Sequence, residues 1–290
     1  MIPAAFDYHA PKSLAEAVGL LSQYGDGAKV LSGGQSLLPL LKLRLGQAAH
    51  LVDIGRIPGL EYLKEEGGML RIGGRTRESA LEYSDLIRSR YPILLDTALV
   101  IADPLVRNMA TVGGNLAHGD PGNDHPATML VLGAQVVATG PKGERVIPID
   151  KFFLGLFSTA LKPDEIVTEI RIPMPAPRSG GAYVKFERKV GDYATAAAAA
   201  YVTLGADGTV ASAGLALTNL GPTPVRATAA EQQLVGKKPD AGALEAAGKA
   251  AAQATSPNAD RRGAPDYKKE MGRVLSVRAL KKALERAGGH

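Results

Sequence analysis

The chain has 290 residues, is 45% hydrophobic, carries a formal net charge of +5 and contains neither cysteine nor tryptophan. That length supports a sizeable core divided among two or three domains. The lack of cysteine excludes disulfides, zinc–thiolate sites and iron–sulfur clusters held by the chain's own thiolates. No apolar run is long enough to span a bilayer, and the start, Met1 to Asp7, has neither a basic leader nor an apolar signal core, so a cytoplasmic protein is expected. The positive excess is local: from Asp260 to His290 nine Lys/Arg face four Asp/Glu, a surplus of five that equals the whole net charge. Without interleaved aromatics this does not read as a nucleic-acid surface.

The first predicted element is a helix from Ser13 to Tyr24, with Ser13 as N-cap, Glu16 at the capping-box position, and Leu14, Val18 and Leu21 on one apolar face. Lys29-Val30-Leu31 reads as a short strand, Leu37 to Leu45 as an apolar stretch broken by Lys42 and Arg44, and Leu51 to Ile54 as a buried strand. Together they make a small α/β unit. A second unit starts with a strand from Met69 to Ile72 and a short helix capped by Thr76 or Ser79. A longer helix from Pro92 to Ala102 stops at Asp103-Pro104. After the polar turn Gly119 to Asp124 come a helix from Pro126 to Leu132, and a hairpin pairing Gln135–Thr139 with Val146–Ile149 across Lys142-Gly143. Glu165 to Ile172 alternates apolar and polar residues as a half-buried strand does.

Pro173, Pro175 and Pro177, followed by Arg178-Ser179-Gly180-Gly181, mark the clearest boundary. Beyond it, strands are expected over Ala182–Glu187, Ala196–Leu204 and Val210–Leu217, and helices over Leu244–Ala254 and Asp266–Ala287. Propensity alone would make Ala196–Ala200 helical. Its continuation as Tyr201-Val202-Thr203-Leu204 and the turn at Asp207-Gly208 favour a strand, whose small side chains would let something bulky approach. On the last helix Tyr267, Met271, Val274, Leu280 and Leu284 are expected to cover its own domain. The domain limits read as 1–55, 56–176 and 177–290.

Two glycine pairs stand out: Ser32-Gly33-Gly34-Gln35-Ser36 and Thr111-Val112-Gly113-Gly114-Asn115. Without a Cβ, backbone can approach a ligand closely, and successive N–H groups form an anion nest to which Ser or Thr adds a donor. Either pair alone is equally well a tight turn. Neither fits G-x-G-x-x-G or the P-loop pattern. Together they suggest two segments closing on one elongated diphosphate, such as that of FAD.

Around these pairs the matching segments extend over essentially the whole chain. They run from Phe6-Asp7-Tyr8 and Pro11-Lys12-Ser13 through the first glycine segment continued as Leu37-Leu38-Pro39. Next come Ile101-Ala102-Asp103-Pro104 and the second glycine segment continued to Gly119-Asp120-Pro121-Gly122-Asn123-Asp124. Asp164-Glu165 ahead of Ile170-Arg171-Ile172-Pro173, and Gly191-Asp192-Tyr193-Ala194-Thr195-Ala196, complete the set. In that order they resemble the FAD-binding medium subunits of aerobic carbon monoxide dehydrogenases, within the molybdenum hydroxylase family that includes xanthine dehydrogenase.

The resemblance implies an α+β chain: a vanillyl-alcohol-oxidase (PCMH) type FAD-binding domain of two α/β halves, then an α+β C-terminal domain covering the flavin. Carried over by position, FAD contacts are implied at Lys29, Val30, Leu31, Ser32, Gly33, Gly34, Gln35, Ser36 and Leu37. They are implied again at Thr111, Val112, Gly113, Gly114 and Asn115. Asp124 would contact the flavin nucleotide, Ile101, Val167 and Lys185 would lie near further contacts, and Tyr193 would lie over the isoalloxazine ring. Lys185, with Arg188 or Lys189, would bring positive charge to the pyrimidine edge and stabilise the reduced anion. Gln35 stands where the carbon monoxide enzymes tend to carry His, which leaves the substrate open.

The implied partners are a large molybdenum-cofactor subunit and a small 2Fe–2S subunit, in a heterotrimer that dimerises. Electrons would pass from the clusters to FAD here and leave to a quinone or another acceptor; peripheral membrane association of the complex stays open. Two other readings also stay open: a self-contained NAD(P)H-dependent flavin reductase of the same fold, and an assembly subunit whose FAD is structural. His118, Asp120, Asp124 and His125 mix hard and borderline ligand types and do not read as a metal site. Ser36 lacks both a G-x-S-x-G elbow and an adjacent His, so hydrolysis is not indicated.

Overall fold

In the computed structural model, which describes residues 1–288, three sheets follow one another along the chain. The first contains β1 (Asp7–His9), β2 (Ala28–Leu31) and β3 (His50–Asp53), paired in parallel in the order β1-β3-β2. Parallel neighbours require crossovers, here α1 (Leu14–Tyr24) and α2 (Leu37–Lys42). At the start of α1, Ser13 Oγ accepts from the Glu16 amide at 3.2 Å, while the Glu16 carboxylate accepts from the Lys12 amide at 2.9 Å. Ala17, Val18 and Leu21 pack with Val52 and Ile54 beneath it.

The second sheet is antiparallel throughout. Its strands are β4 (Leu63–Glu66), β5 (Met69–Gly73), β6 (Gln135–Gly140), β7 (Gly143–Pro148) and, after a ribbon of β8 (Phe153–Gly155) and β9 (Ser158–Thr159), β10 (Ile166–Pro173). The order β4-β5-β10-β6-β7 puts β10 at the centre. The strand read as half-buried is therefore sealed on both faces. Val167, Ile170 and Ile172 enter the main core, whereas buried Glu169 is held by the Tyr62 hydroxyl at 2.5 Å, by Arg71 Nε at 3.1 Å and by Arg171. Pairing lets polar side chains occupy an interior face, so the alternation misstated the burial.

Six helices connect these strands: α3 (Glu78–Glu82), α4 (Asp85–Arg90), α5 (Pro92–Leu99), α6 (Pro104–Arg107), α7 (Val112–His118) and α8 (His125–Val131). Neither Thr76 nor Ser79 caps α3. Thr76 Oγ1 donates to the Tyr62 carbonyl at 2.8 Å, and Ser79 lies inside the helix. The helix from Pro92 ends earlier than read, because Asp103 caps a new one, its Oδ1 accepting from the Val106 amide at 2.9 Å.

The third sheet has the order β11 (Ser179–Phe186), β12 (Ala196–Leu204), β13 (Val210–Thr218), β14 (Val225–Arg226), followed by α9 (Thr228–Leu234), α10 (Ala241–Gln253) and α11 (Pro265–Gly288). The alanine run is a strand, and it meets bulk on both faces. Ala197 and Ala199 join the core with α5 and α8, and Ala196, Ala198 and Ala200 join the core with α10 and α11. The buried face of α11 is Lys268, Gly272, Leu275, Ser276, Ala279, Leu280, Ala283 and Ala287, so of the five expected residues only Leu280 is buried. Over a shallow alanine surface the helix must present small residues to come close; a Cβ at Gly180 would stand 2.3 Å from the Ala283 carbonyl oxygen. Asp96 of α5 fastens the second unit to α11, accepting from Lys282 Nζ at 2.9 Å and Arg286 Nη1 at 2.6 Å. No helix among the described residues is long and apolar enough to cross a membrane.

Candidate functional site

A cavity of about 480 Å³ opens between the first two units. One wall is Lys29 and Val30 of β2 with Ser32, Gly33, Gly34, Gln35, Ser36 and Leu37; the other carries Thr111, Gly113, Gly114, Asn115 and Val167. The two glycine segments touch: Ser32 Oγ and Thr111 Oγ1 share a hydrogen bond at 2.9 Å. A Cβ at Gly33 would lie 2.2 Å from the Met109 carbonyl oxygen, and one at Gly113 would lie 2.4 Å from that of Gly74. The first glycine of each pair is thus required by backbone packed against backbone.

The two segments differ in what they offer a ligand. Gly34 takes φ +75°, and among the described residues the amides of Gly33, Gly34, Gln35 and Ser36 donate to no protein acceptor. Successive bare amides around a left-handed glycine make an anion nest. The second segment is no loop: Thr111 is the N-cap of α7, and its Oγ1 accepts from the Gly114 amide at 3.2 Å. The Val112, Gly113 and Asn115 amides go to the carbonyls of Thr76, Gly74 and Thr111. It presents instead a small-residue surface and Asn115 Oδ1, which is buried without a partner.

Sequence reasoning missed the far end of the cavity, where His118, Phe157, Thr159, Leu161 and Lys162 contribute. The His118 and Phe157 rings lie 5.1 Å apart, and burial pushes the His118 pKa down against the opposing pull of Asp120. No local pattern announces these residues; the ribbon carrying Phe157 is placed by the Phe157 amide donating to the Gly119 carbonyl at 3.0 Å.

Six residues carried over from the resemblance lie away from this cavity. Leu31 is half-buried in β2, Val112 is fully buried in the core, and Ile101 is buried with its carbonyl accepting from Arg107 Nη1 at 3.1 Å. The Lys185 side chain is 2% exposed and donates to Asp124 Oδ2 at 3.0 Å and to the Val100 carbonyl at 2.9 Å, with Glu187 at 3.3 Å. Two carboxylates thus offset its charge, and Arg188 is likewise paired, with Asp192 at 3.2 Å. Tyr183, absent from the sequence reading, donates its hydroxyl to Asp124 Oδ1 at 2.6 Å and meets Thr218 Oγ1 at 3.0 Å. Burial pushes the Asp124 carboxyl up, against Lys185 and Tyr183, and raises the Tyr183 phenol well above its ordinary value. Tyr193 is 45% exposed, with its ring against Gly122 and the Arg262 guanidinium 5.7 Å from its centroid. Of His118, Asp120, Asp124 and His125, the first two face each other at 3.9 Å, whereas Asp124 holds Lys185 and His125 holds Glu78.

A family profile described as the FAD binding domain in molybdopterin dehydrogenase matches residues 4–175, and one for the CO dehydrogenase flavoprotein C-terminal domain matches residues 181–283. The chain is 47% identical over 286 residues to the carbon monoxide dehydrogenase medium chain of Hydrogenophaga pseudoflava, covering 99% of both. It is 37% identical to the 6-hydroxypseudooxynicotine dehydrogenase complex subunit alpha of Paenarthrobacter nicotinovorans, covering 99% of this chain and 97% of that one. Carbon monoxide dehydrogenase from Hydrogenophaga pseudoflava superposes with a TM-score of 0.96 at 49% identity, covering 99% of each chain. Quinoline 2-oxidoreductase from Pseudomonas putida 86 gives 0.93 at 31% identity, again covering 99% of each. The cofactor of this fold is FAD, and the bare amides, the unpartnered Asn115 oxygen and the cavity suit an elongated nucleotide. The chain belongs to the family of FAD-binding medium subunits of carbon monoxide dehydrogenase and related molybdenum hydroxylases, and is an oxidoreductase subunit.

Proposed function

We propose that the chain is the flavin station of a three-subunit molybdenum hydroxylase. Electrons reach it from the 2Fe–2S clusters of a small subunit after substrate is oxidised on a large molybdenum subunit, and they leave to a quinone or another acceptor. FAD supplies the ability to take electrons singly and release one or two. The observation that carries the reading is the Ser32–Thr111 junction, which sets four unpaired amides on one wall of the cavity. The amides of Gly33 to Ser36 would hold the diphosphate, and Asn115 Oδ1 would accept a hydrogen bond from the cofactor. Leu21, Leu40, Leu41 and Ile54 keep the cavity floor apolar. The working units are residues 1–55, 56–176 and 177–290, the third covering the ring. By resemblance to the relatives, Asp124 is assigned to the flavin nucleotide, Ile101, Val167 and Lys185 to nearby contacts, and Tyr193 to the isoalloxazine ring. There Tyr193 limits access to one face, and the Lys185 ammonium acts as part of a fixed ion pair. With no cysteine, the chain holds no thiolate-bound cluster of its own, so the clusters in this reading belong to another polypeptide.

Production in the cytoplasm together with the large and small subunits tests this. The purified complex should carry FAD, iron–sulfur and molybdenum in fixed ratio. Anaerobic NADH should leave the flavin of the isolated chain oxidised, whereas reductants that reduce the clusters should bleach it in the complex. Prompt bleaching by NADH would support a self-contained reductase, and flavin inert to both would make it structural.

A further inference from the structure

One pair of buried titratable side chains takes no part in the chemistry described so far. Glu78 Oε2 and His125 Nε2 share a hydrogen bond at 2.6 Å, and both side chains are 0% exposed. Their remaining polar atoms, Glu78 Oε1 and His125 Nδ1, are buried without partners. Apolar side chains of similar volume would fill this space without the desolvation cost. Stability alone therefore does not account for the pair.

Its connections do. The segment leading to Glu78 cradles the second glycine segment through three backbone hydrogen bonds. Gly113 donates to the Gly74 carbonyl at 3.1 Å, Val112 to that of Thr76 at 2.9 Å, and Glu78 itself to that of Ala110 at 3.0 Å. His125 opens α8 immediately after Asp124, the carboxylate held by Tyr183 and Lys185. One side-chain bond thus joins the support of the cavity wall to the junction with the third unit. We infer that Glu78 and His125 are positioning residues, fixing the Thr111–Asn115 segment and the Asp124 turn in one relative placement and thereby setting the affinity for FAD. The inference rests on the reading of the cavity as the FAD site.

The test uses the assembled complex, stripped of FAD and reconstituted, with FAD affinity, flavin midpoint potential and thermal midpoint read on each variant. Loss of a hydrogen bond to an ionisable buried group corresponds to about a ten- to hundred-fold change in affinity. Glu78→Ala and His125→Ala should each weaken FAD binding by about that factor and shift the potential. Glu78→Gln keeps the length and one hydrogen bond, and should recover most of the affinity. A merely structural pair would lower the thermal midpoint while the folded complex bound FAD as tightly as the parent, and that result overturns the inference. If the alanine variants do not assemble, the apolar double variant Glu78→Leu with His125→Leu decides: it fills the space but removes the bond, and parent-like FAD affinity and potential there also overturn the inference. A parent complex that takes up no FAD would instead refute the reading of the cavity.

Discussion

The two glycine segments look alike as sequence and differ as structure. In each, the leading glycine is required by another stretch of backbone, Met109 for Gly33 and Gly74 for Gly113. Past that point they diverge. The first remains a loop whose amides are bare, while the second becomes the opening turn of α7 with its amides satisfied internally. A double glycine therefore reports close approach reliably, but what approaches can be the protein itself. The proposed anion-binding role therefore rests on the segment whose donors are still free.

Substitutions at three of the four glycines break that comparison most sharply. Gly33→Ala and Gly113→Ala would drive a Cβ into a carbonyl oxygen at 2.2 and 2.4 Å. Each should cost about 3 kcal/mol or more and empty the site of flavin, as urea unfolding and flavin content would show. Gly34→Ala should cost less, about 1–2 kcal/mol, because its strain is that of φ +75° and the nearest obstacle, Leu38 Cδ1 at 3.0 Å, can move. It should nevertheless weaken FAD binding, since it disturbs the bare amides. Near-parent stability for Gly33→Ala would show the close approach to be wrong.

The hydroxyl junction sharpens the comparison with smaller effects. Thr111→Val removes both the α7 cap and the bond to Ser32, whereas Ser32→Ala removes only the latter. The first should cost about 2 kcal/mol and the second about 1 kcal/mol. A double-mutant cycle should return a coupling of about 1 kcal/mol, and zero coupling would mean that the segments do not meet.

Smallest is a pH effect far from either segment. Arg262, then Arg188, hold the Asp192 carboxyl at about 2, below its ordinary 3.8. A lowered carboxyl contributes stability above its unfolded value, and that contribution is lost as pH falls through the folded one. Arg262→Ala should therefore be less stable than the parent at neutral pH, with the gap closing between about pH 4 and pH 2. A gap constant with pH would deny the pairing. Flavin affinity at the diphosphate should be unaffected.

Much of the fold was legible because local and global signals agreed. Ser13 caps α1 as read, and Ala196–Leu204 is a strand despite its alanines, because the turn at Asp207-Gly208 and the β-branched continuation outweighed propensity. The α11 face was legible only in part: Leu280 is buried and Met271 and Leu284 pack half-buried against the same core, but most of the buried positions are small, as packing on an alanine sheet selects. At the site, position in the chain found both cavity walls but could not tell bare amides from satisfied ones. Tyr183, Glu78 and Arg262 escaped because each acts through a partner distant in sequence, Asp124, His125 and Tyr193, and no spacing rule links such pairs.

Amide hydrogen exchange on the assembled complex, with and without FAD, tests the central claim most directly. The account predicts strong protection by FAD at Gly33 to Ser36, with little change at Val112 to Asn115, whose amides are already bonded. Unchanged exchange at Gly33 to Ser36 in a complex that holds its flavin would contradict it.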